Sequence, residues 1–132
     1  MALVIDASIA ACWAFGDEDS PAADRALNLI QAEDTVAPAL LWYELRNILV
    51  VNERRGRLSQ ADTAAFLRDM ARLGVVTDHH PDEAEILRLA RAHRLTVYDA
   101  VYLELAQRLG YPLATLDAEL ARAARAEGTP VI

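Results

Sequence analysis

The chain has 132 residues, 54% hydrophobic and 25% charged, a composition that fits one globular domain around a single core and excludes a disordered polypeptide. Its formal net charge of −7 excludes nucleic-acid binding driven by bulk positive charge, and suits a cation site or a basic protein partner. All 13 basic residues are arginine, which excludes lysine chemistry such as Schiff-base formation or a phosphate-loop lysine.

A single cysteine, Cys12, cannot close an internal disulfide, and its apolar surroundings make it a buried thiol, as expected in a reducing cytoplasm. No uncharged apolar run approaches the roughly 18 residues of a membrane span. The opening MALVID lacks a basic region and a long apolar core, so no signal peptide is expected. No linker, repeat or low-complexity segment divides the chain, and one domain over 1–132 is expected, in the cytoplasm.

Residues 2–5 form a short apolar run that predicts a buried parallel strand. Asp6 follows it and opens a helical stretch. It reads equally as a helix N-cap assisted by Ser8 and as an acid at the carboxyl end of a strand, where open α/β sheets bind ligands. Residues 16–19 read as an acidic turn. Ser20-Pro21 then predicts an N-cap and first helical residue, with the helix running to about Glu33. Residues 35–37 predict a second strand, stopped by Pro38.

A long helix follows, closed by Gly56. At about 100° per residue, Glu44 falls between Ile48 and Val51 in the helix's apolar sector. Burying a lone carboxylate is costly, so Glu44 either lies at the sector's edge, pairs with an arginine such as Arg46, or serves as a metal-site or catalytic acid. Asn47, one turn along, is placed to orient it. Arg54, Arg55 and Arg57 suit a helix C-terminus, with phosphate contact as the alternative. Ser59 and Asp62 predict a capping box for a helix whose buried face carries Phe66, Leu67, Met70 and Leu73.

Residues 75–77 predict a third strand. His79 and His80 follow it, but adjacent side chains diverge and no third soft ligand is near, so a loop is expected rather than a zinc site. A helix from Asp82 to His93 comes next. Thr96 then caps a helix over 97–109, with Asp99 as its reciprocal acid and Tyr98, Val101, Tyr102, Leu105 and Leu109 as its buried stripe. Residues 113–116 predict a fourth strand, Asp117 caps the last helix, and Val131-Ile132 reads as an edge strand.

Strands alternating with helices predict an α/β fold with a mainly parallel sheet of four to five strands and about seven helices. Asp6 and Asp117 then leave strands at the same carboxyl edge, with Asp99 and Glu44 on helices packed near it. Each acid has a structural explanation of its own, yet four converging on one rim point to one site. Carboxylates without a basic neighbour repel unless a cation lies among them. An all-oxygen set selects Mg²⁺ or Mn²⁺ over Zn²⁺, and such ions serve phosphodiester hydrolysis.

VIDAS at 4–8, ELRN at 44–47, YDAVY at 98–102 and TLD at 115–117 together resemble the PIN-domain ribonucleases, specifically the VapC toxins of bacterial toxin–antitoxin pairs, in order and along essentially the whole chain. The resemblance implies that Asp6, Glu44, Asp99 and Asp117 are the catalytic acidic quartet. It implies Asp6 and Asp99 as the most direct metal ligands, with Asp117 and Glu44 completing the site, and Thr115 and Ser8 in support. It further implies Mg²⁺-dependent cleavage of tRNA or ribosomal RNA, inhibition of translation, a homodimer, and a VapB-type antitoxin whose basic tail lies over the toxin. Trp13, Phe15 and Trp42 are candidates for lining the antitoxin groove or for plain core. Two other readings remain. A phosphoacceptor receiver domain would need a lysine and adjacent acids after the first strand, and the chain has neither. A binding module could keep the fold without hydrolysis.

Overall fold

A computed structural model describes residues 2–15 and 20–132; the acidic turn read over 16–19 lies outside them. The described elements run β1 (Leu3–Ile5), α1 (Ala7–Ala14), α2 (Pro21–Ala32), β2 (Thr35–Pro38), α3 (Leu40–Arg54), α4 (Gln60–Arg72), β3 (Val76–Asp78), α5 (Glu83–His93), α6 (Val97–Leu109), β4 (Leu113–Ala114) and α7 (Ala118–Ala126). The strands form one parallel sheet in the order β3-β2-β1-β4.

β1 is the central ridge of this layout. Leu3, Val4 and Ile5 are all within 1% of complete burial, as a parallel strand covered on both faces requires. Val4 stands opposite Val36 of β2 on one side and Leu113 of β4 on the other. β1 and β4 therefore end side by side at one carboxyl edge, although they come from opposite ends of the chain. The expected edge strand at 131–132 is a single parallel bridge from Val131 to Leu113. Pro38, expected to stop β2, is its last residue, paired with Asp78.

Caps set most helix boundaries where the residue types place them. The Ser20 hydroxyl accepts from the Ala23 N–H with Pro21 at the first turn, and Ser59 with Asp62 closes a full capping box. At Thr96 only half of the expected box forms: its hydroxyl accepts the Asp99 N–H at 3.1 Å. α6 ends at Gly110, whose φ of 71° is the left-handed conformation that glycine adopts without steric cost.

α6 packs over β1 and β2 with α5 alongside. Tyr102 and Leu105 are buried and Val101 and Leu109 half-buried, but Tyr98, expected in the same stripe, is 61% exposed. Helix rotation explains the difference. With cover on more than one side, the buried sector shifts to include Ala100, Leu103 and Ala106, and the first turn, with Val97 and Tyr98, stands clear. The aromatics considered for a partner groove are tied into the fold: the Trp13 indole donates to the Ala23 carbonyl at 3.0 Å, the Trp42 indole to Thr77 Oγ1 of β3 at 2.8 Å, and Phe15 is buried beneath the Arg57 guanidinium. Cys12 is buried, as expected.

Candidate active site

Asp6 leaves β1 with extended backbone and caps α1, its Oδ1 accepting the Ile9 N–H at 3.1 Å. The two readings of this residue are therefore compatible, because capping uses one oxygen. The Ser8 hydroxyl also donates to Oδ1, at 2.6 Å, and the Thr115 hydroxyl donates to Oδ2. Each hydroxyl in turn accepts a backbone N–H from the segment after β4: Ser8 from Leu116 at 2.9 Å, Thr115 from Asp117 at 3.0 Å. These bonds pin the loop that carries Asp117 to Asp6. Asp117 itself is exposed and caps α7 through Leu120.

Glu44 comes from the second turn of α3 and is half-buried. Its Oε1 accepts the phenol of Tyr102 at 2.5 Å. Neither expected neighbour serves it. Arg46 turns back to the Trp42 carbonyl, and Asn47 is exposed and outside the pocket. Asp99 sits in the first turn of α6, half-buried. Asp6, Ser8, Glu44, Asp99, Tyr102 and Asp117 line one pocket of about 200 Å³. The four acids singled out in the sequence thus come together; of the supporting residues, Ser8 and Thr115 touch Asp6 and Asn47 touches none of them.

The electrostatics register this crowding. Burial, only partly offset by its hydrogen bonds and reinforced by the charge of Asp99, pushes the Asp6 carboxyl up from 3.8 to about 6. Asp99 is also raised, first by burial and then by the charges of Asp117 and Glu44. The Tyr102 phenol is pushed up by burial, by its bond to Glu44 and by the charges of Glu44, Asp6 and Asp99. Among the described residues, no arginine or histidine forms an ion pair with any of the four acids.

A neighbouring pocket of about 230 Å³ at the ends of β2 and β3 also holds acids, Asp78 and Glu104. There both are ion-paired to one arginine: Arg108 bonds Glu104 at 2.6 Å and Asp78 at 2.7 Å. Glu104, only 2% exposed, also accepts the Asp82 N–H. Its spacing of four residues from Arg108 on one helix was the available signal for that pair. Tyr102, expected only in the buried stripe of α6, also lines the acid pocket, a placement with no local signal in the sequence. His79 and His80 lie exposed after β3, as a loop.

The oxygen-only donor set and its unneutralised charge fit a hard divalent cation. Among the described residues, however, no three Asp, Glu, His or Cys side chains already converge as the ligands of one ion would. The pocket suits an ion that keeps several waters and takes few direct protein ligands, as Mg²⁺ does.

An acid-lined pocket at the carboxyl edge of a small parallel sheet, fed by the ends of β1 and β4 and by two helices, defines a recognisable class. The PIN domain family model matches residues 3–126, and the chain belongs to the PIN-domain family. It is similar to Ribonuclease VapC3 of Pyrobaculum aerophilum, at 37% identity over 134 residues that cover 98% of this chain and 100% of the relative, which sets it among the VapC members of that family. In structure it is similar to PAE2754 from Pyrobaculum aerophilum, with a TM-score of 0.77 and 26% identity over 99% of this chain and 89% of that one. FitAcB from Neisseria gonorrhoeae shares the fold, with a TM-score of 0.62 and 18% identity over 98% of this chain and 96% of that one.

Proposed function

We propose that the protein is a Mg²⁺-dependent endoribonuclease toxin that uses Asp6, Glu44, Asp99 and Asp117 as its catalytic acids. One observation carries the reading: four carboxylates from four segments line one pocket, and among the described residues none of them is ion-paired to an arginine or histidine. The name of its 37% identical relative, a ribonuclease, supports the reaction class. Asp6 and Asp99 are the direct ligands in this reading, with Asp117 as the third and Glu44 acting directly or through water.

Bound there, the cation supplies an activated water and neutralises the phosphodiester in the transition state. The chain's own residues prepare for it. The hydroxyls of Ser8 and Thr115 orient both oxygens of Asp6, the Asp117 loop is held against them, and Asp99 faces Glu44 and Asp117 closely enough to feel both charges. The anionic pocket repels an RNA backbone, and a cation held by these acids would lessen that repulsion.

The same reading assigns tRNA or ribosomal RNA as substrate, inhibition of translation as the outcome, a homodimer as the working form and a VapB-type antitoxin as the neutralising partner. The charge of −7 suits a partner with a basic tail. No helix among the described residues is long and apolar enough to cross a membrane, and a cytoplasmic location belongs to the same proposal.

The test is purified protein with total RNA in Mg²⁺ or Mn²⁺, with and without EDTA, beside Asp6→Asn and Asp99→Asn. Metal-dependent cleavage lost in both variants with the fold intact is expected. Full activity in either variant overturns the site, and RNA or antitoxin capture without cleavage by the wild type moves the protein to a binding role.

A further inference from the structure

We infer that Tyr102 is a positioning residue that fixes the Glu44 carboxylate with Oε2 as its freer oxygen and thereby favours a small divalent cation over a large one. The inference rests on the metal-site reading proposed above.

The observation is a short contact between helices. Tyr102 lies on α6, three residues after Asp99, and is 1% exposed. Its hydroxyl is 2.5 Å from Glu44 Oε1, across from α6 on α3. An O–H···O⁻ bond of this length is charge-assisted and among the stronger hydrogen bonds in proteins. A phenol has one hydrogen to give, and a ring packed in the core cannot redirect it. A glutamate side chain on a helix otherwise has several rotamers, whose loss on ordering costs conformational entropy. Being half-buried at the pocket's edge, Glu44 could swing to solvent, away from the other acids. The phenol removes that freedom in advance.

The chemical consequence concerns the second oxygen. With one lone pair of Oε1 taken by Tyr102, Oε2 is the oxygen that Glu44 offers most freely to a cation or to a water on it. A one-oxygen contact suits Mg²⁺ and Mn²⁺, which demand near-octahedral geometry and retain water. Ca²⁺ takes more ligands and accepts two oxygens from one carboxylate. The phenol therefore favours the smaller ions by drawing electron density from Oε1 and disfavouring the two-oxygen contact that Ca²⁺ can exploit. None of this changes the charge of the pocket, so it is separable from simple acid count.

The experiment compares wild type, Tyr102→Phe, Glu44→Ala and the double variant by calorimetric titration with Mn²⁺ and with Ca²⁺. In Tyr102→Phe, Mn²⁺ binding is expected to weaken about tenfold, the size typical of a lost partner behind a metal ligand, while Ca²⁺ binding changes less, so that the Mn²⁺/Ca²⁺ ratio falls. In the Glu44→Ala background the same substitution is expected to change neither ion's affinity. Equal weakening of both ions, no change in either, or an undiminished effect without Glu44 overturns the inference; the last outcome would mark a general packing role. A metal-free crystal structure of Tyr102→Phe gives a readout independent of ion binding, with Glu44 expected to leave its rotamer. An unchanged Glu44 there also overturns the inference. Failure of the wild type to bind either ion would instead overturn the metal-site reading, and with it the ion preference inferred here.

Discussion

Thr115 donates its hydroxyl to Asp6 Oδ2 from a position 109 residues further along the chain, while accepting the N–H of Asp117 on the same oxygen. The bond exists because β1 and β4 pair in parallel and end together. Replacing Thr115 by valine keeps the shape and removes the donor. Mn²⁺ affinity is expected to fall about tenfold or more, with about 1 kcal/mol lost in urea unfolding. Thr115→Ser is expected to retain most of both, and a serine variant as weak as the valine one would count against the hydroxyl's role.

Asp6 predicts a pH dependence of opposite sign to that of an ion-paired acid. Its folded carboxyl titrates at about 6 against 3.8 when unperturbed. The unfolded state therefore holds fewer protons than the folded one between those values. The group's stabilising contribution is complete below pH 3.8 and is lost as pH rises through about 6. In EDTA at pH 7.5, Asp6→Asn is expected to be more stable than wild type by at most about 3 kcal/mol, the gap closing near pH 4. Mg²⁺ should raise the melting temperature of the wild type and leave the variant's unmoved. Thermal scans across pH, with and without the ion, measure both effects.

Glu127 behaves the other way. It follows α7 and joins that helix to α5 and α6, accepting from Arg88 at 2.6 Å, His93 at 2.7 Å and Gln107 at 3.0 Å. Arg88, His93 and Gln107 hold its carboxyl down from 4.5 to about 2. The stability it adds is present above pH 4.5 and is lost as pH falls through about 2. Glu127→Gln is expected to cost about 1 kcal/mol at pH 7, allowing for solvent screening, and progressively less below pH 4.5. Urea midpoints at pH 7 and pH 3 compare the two regimes.

Arg94 ends α5 with φ of 54°, the one positive value at a non-glycine residue among those described. A side chain in that conformation costs roughly 1 kcal/mol or more. Arg94→Gly is expected to raise stability by about 0.5–1 kcal/mol, with RNA cleavage unchanged. A loss of stability on calorimetry would show that the arginine side chain contributes more than its backbone strain removes.

The sequence made the caps, the strand–helix alternation and the four acids legible because each is a local pattern with a local cause. Ser20-Pro21 and the Ser59–Asp62 box need no tertiary information, and an acid straight after a buried strand announces its edge. Contacts between distant elements were less accessible. Periodicity placed Glu44 on an inner face, and one-turn spacing then suggested Asn47 as its partner; the actual donor, Tyr102, arrives from a helix 58 residues away. The same limit explains Tyr98. A stripe drawn at helical spacing assumes one covering surface, whereas α6 is covered by the sheet and by α5 together. For Glu104 only the Arg108 bond is local in sequence; its burial and its bond from the Asp82 N–H depend on where distant elements come to lie.

Trp42 stands two residues before Glu44 on α3, and its indole is fastened to Thr77 on β3. A slight tilt of α3 relative to the sheet must therefore alter the setting of a chromophore. The chain contains only one other tryptophan, Trp13, anchored to α2, so replacing Trp13 with phenylalanine would isolate the first signal. Evolution has left an optical gauge beside the acid on which the pocket's geometry turns, and fluorescence could follow that helix in real time without any attached dye.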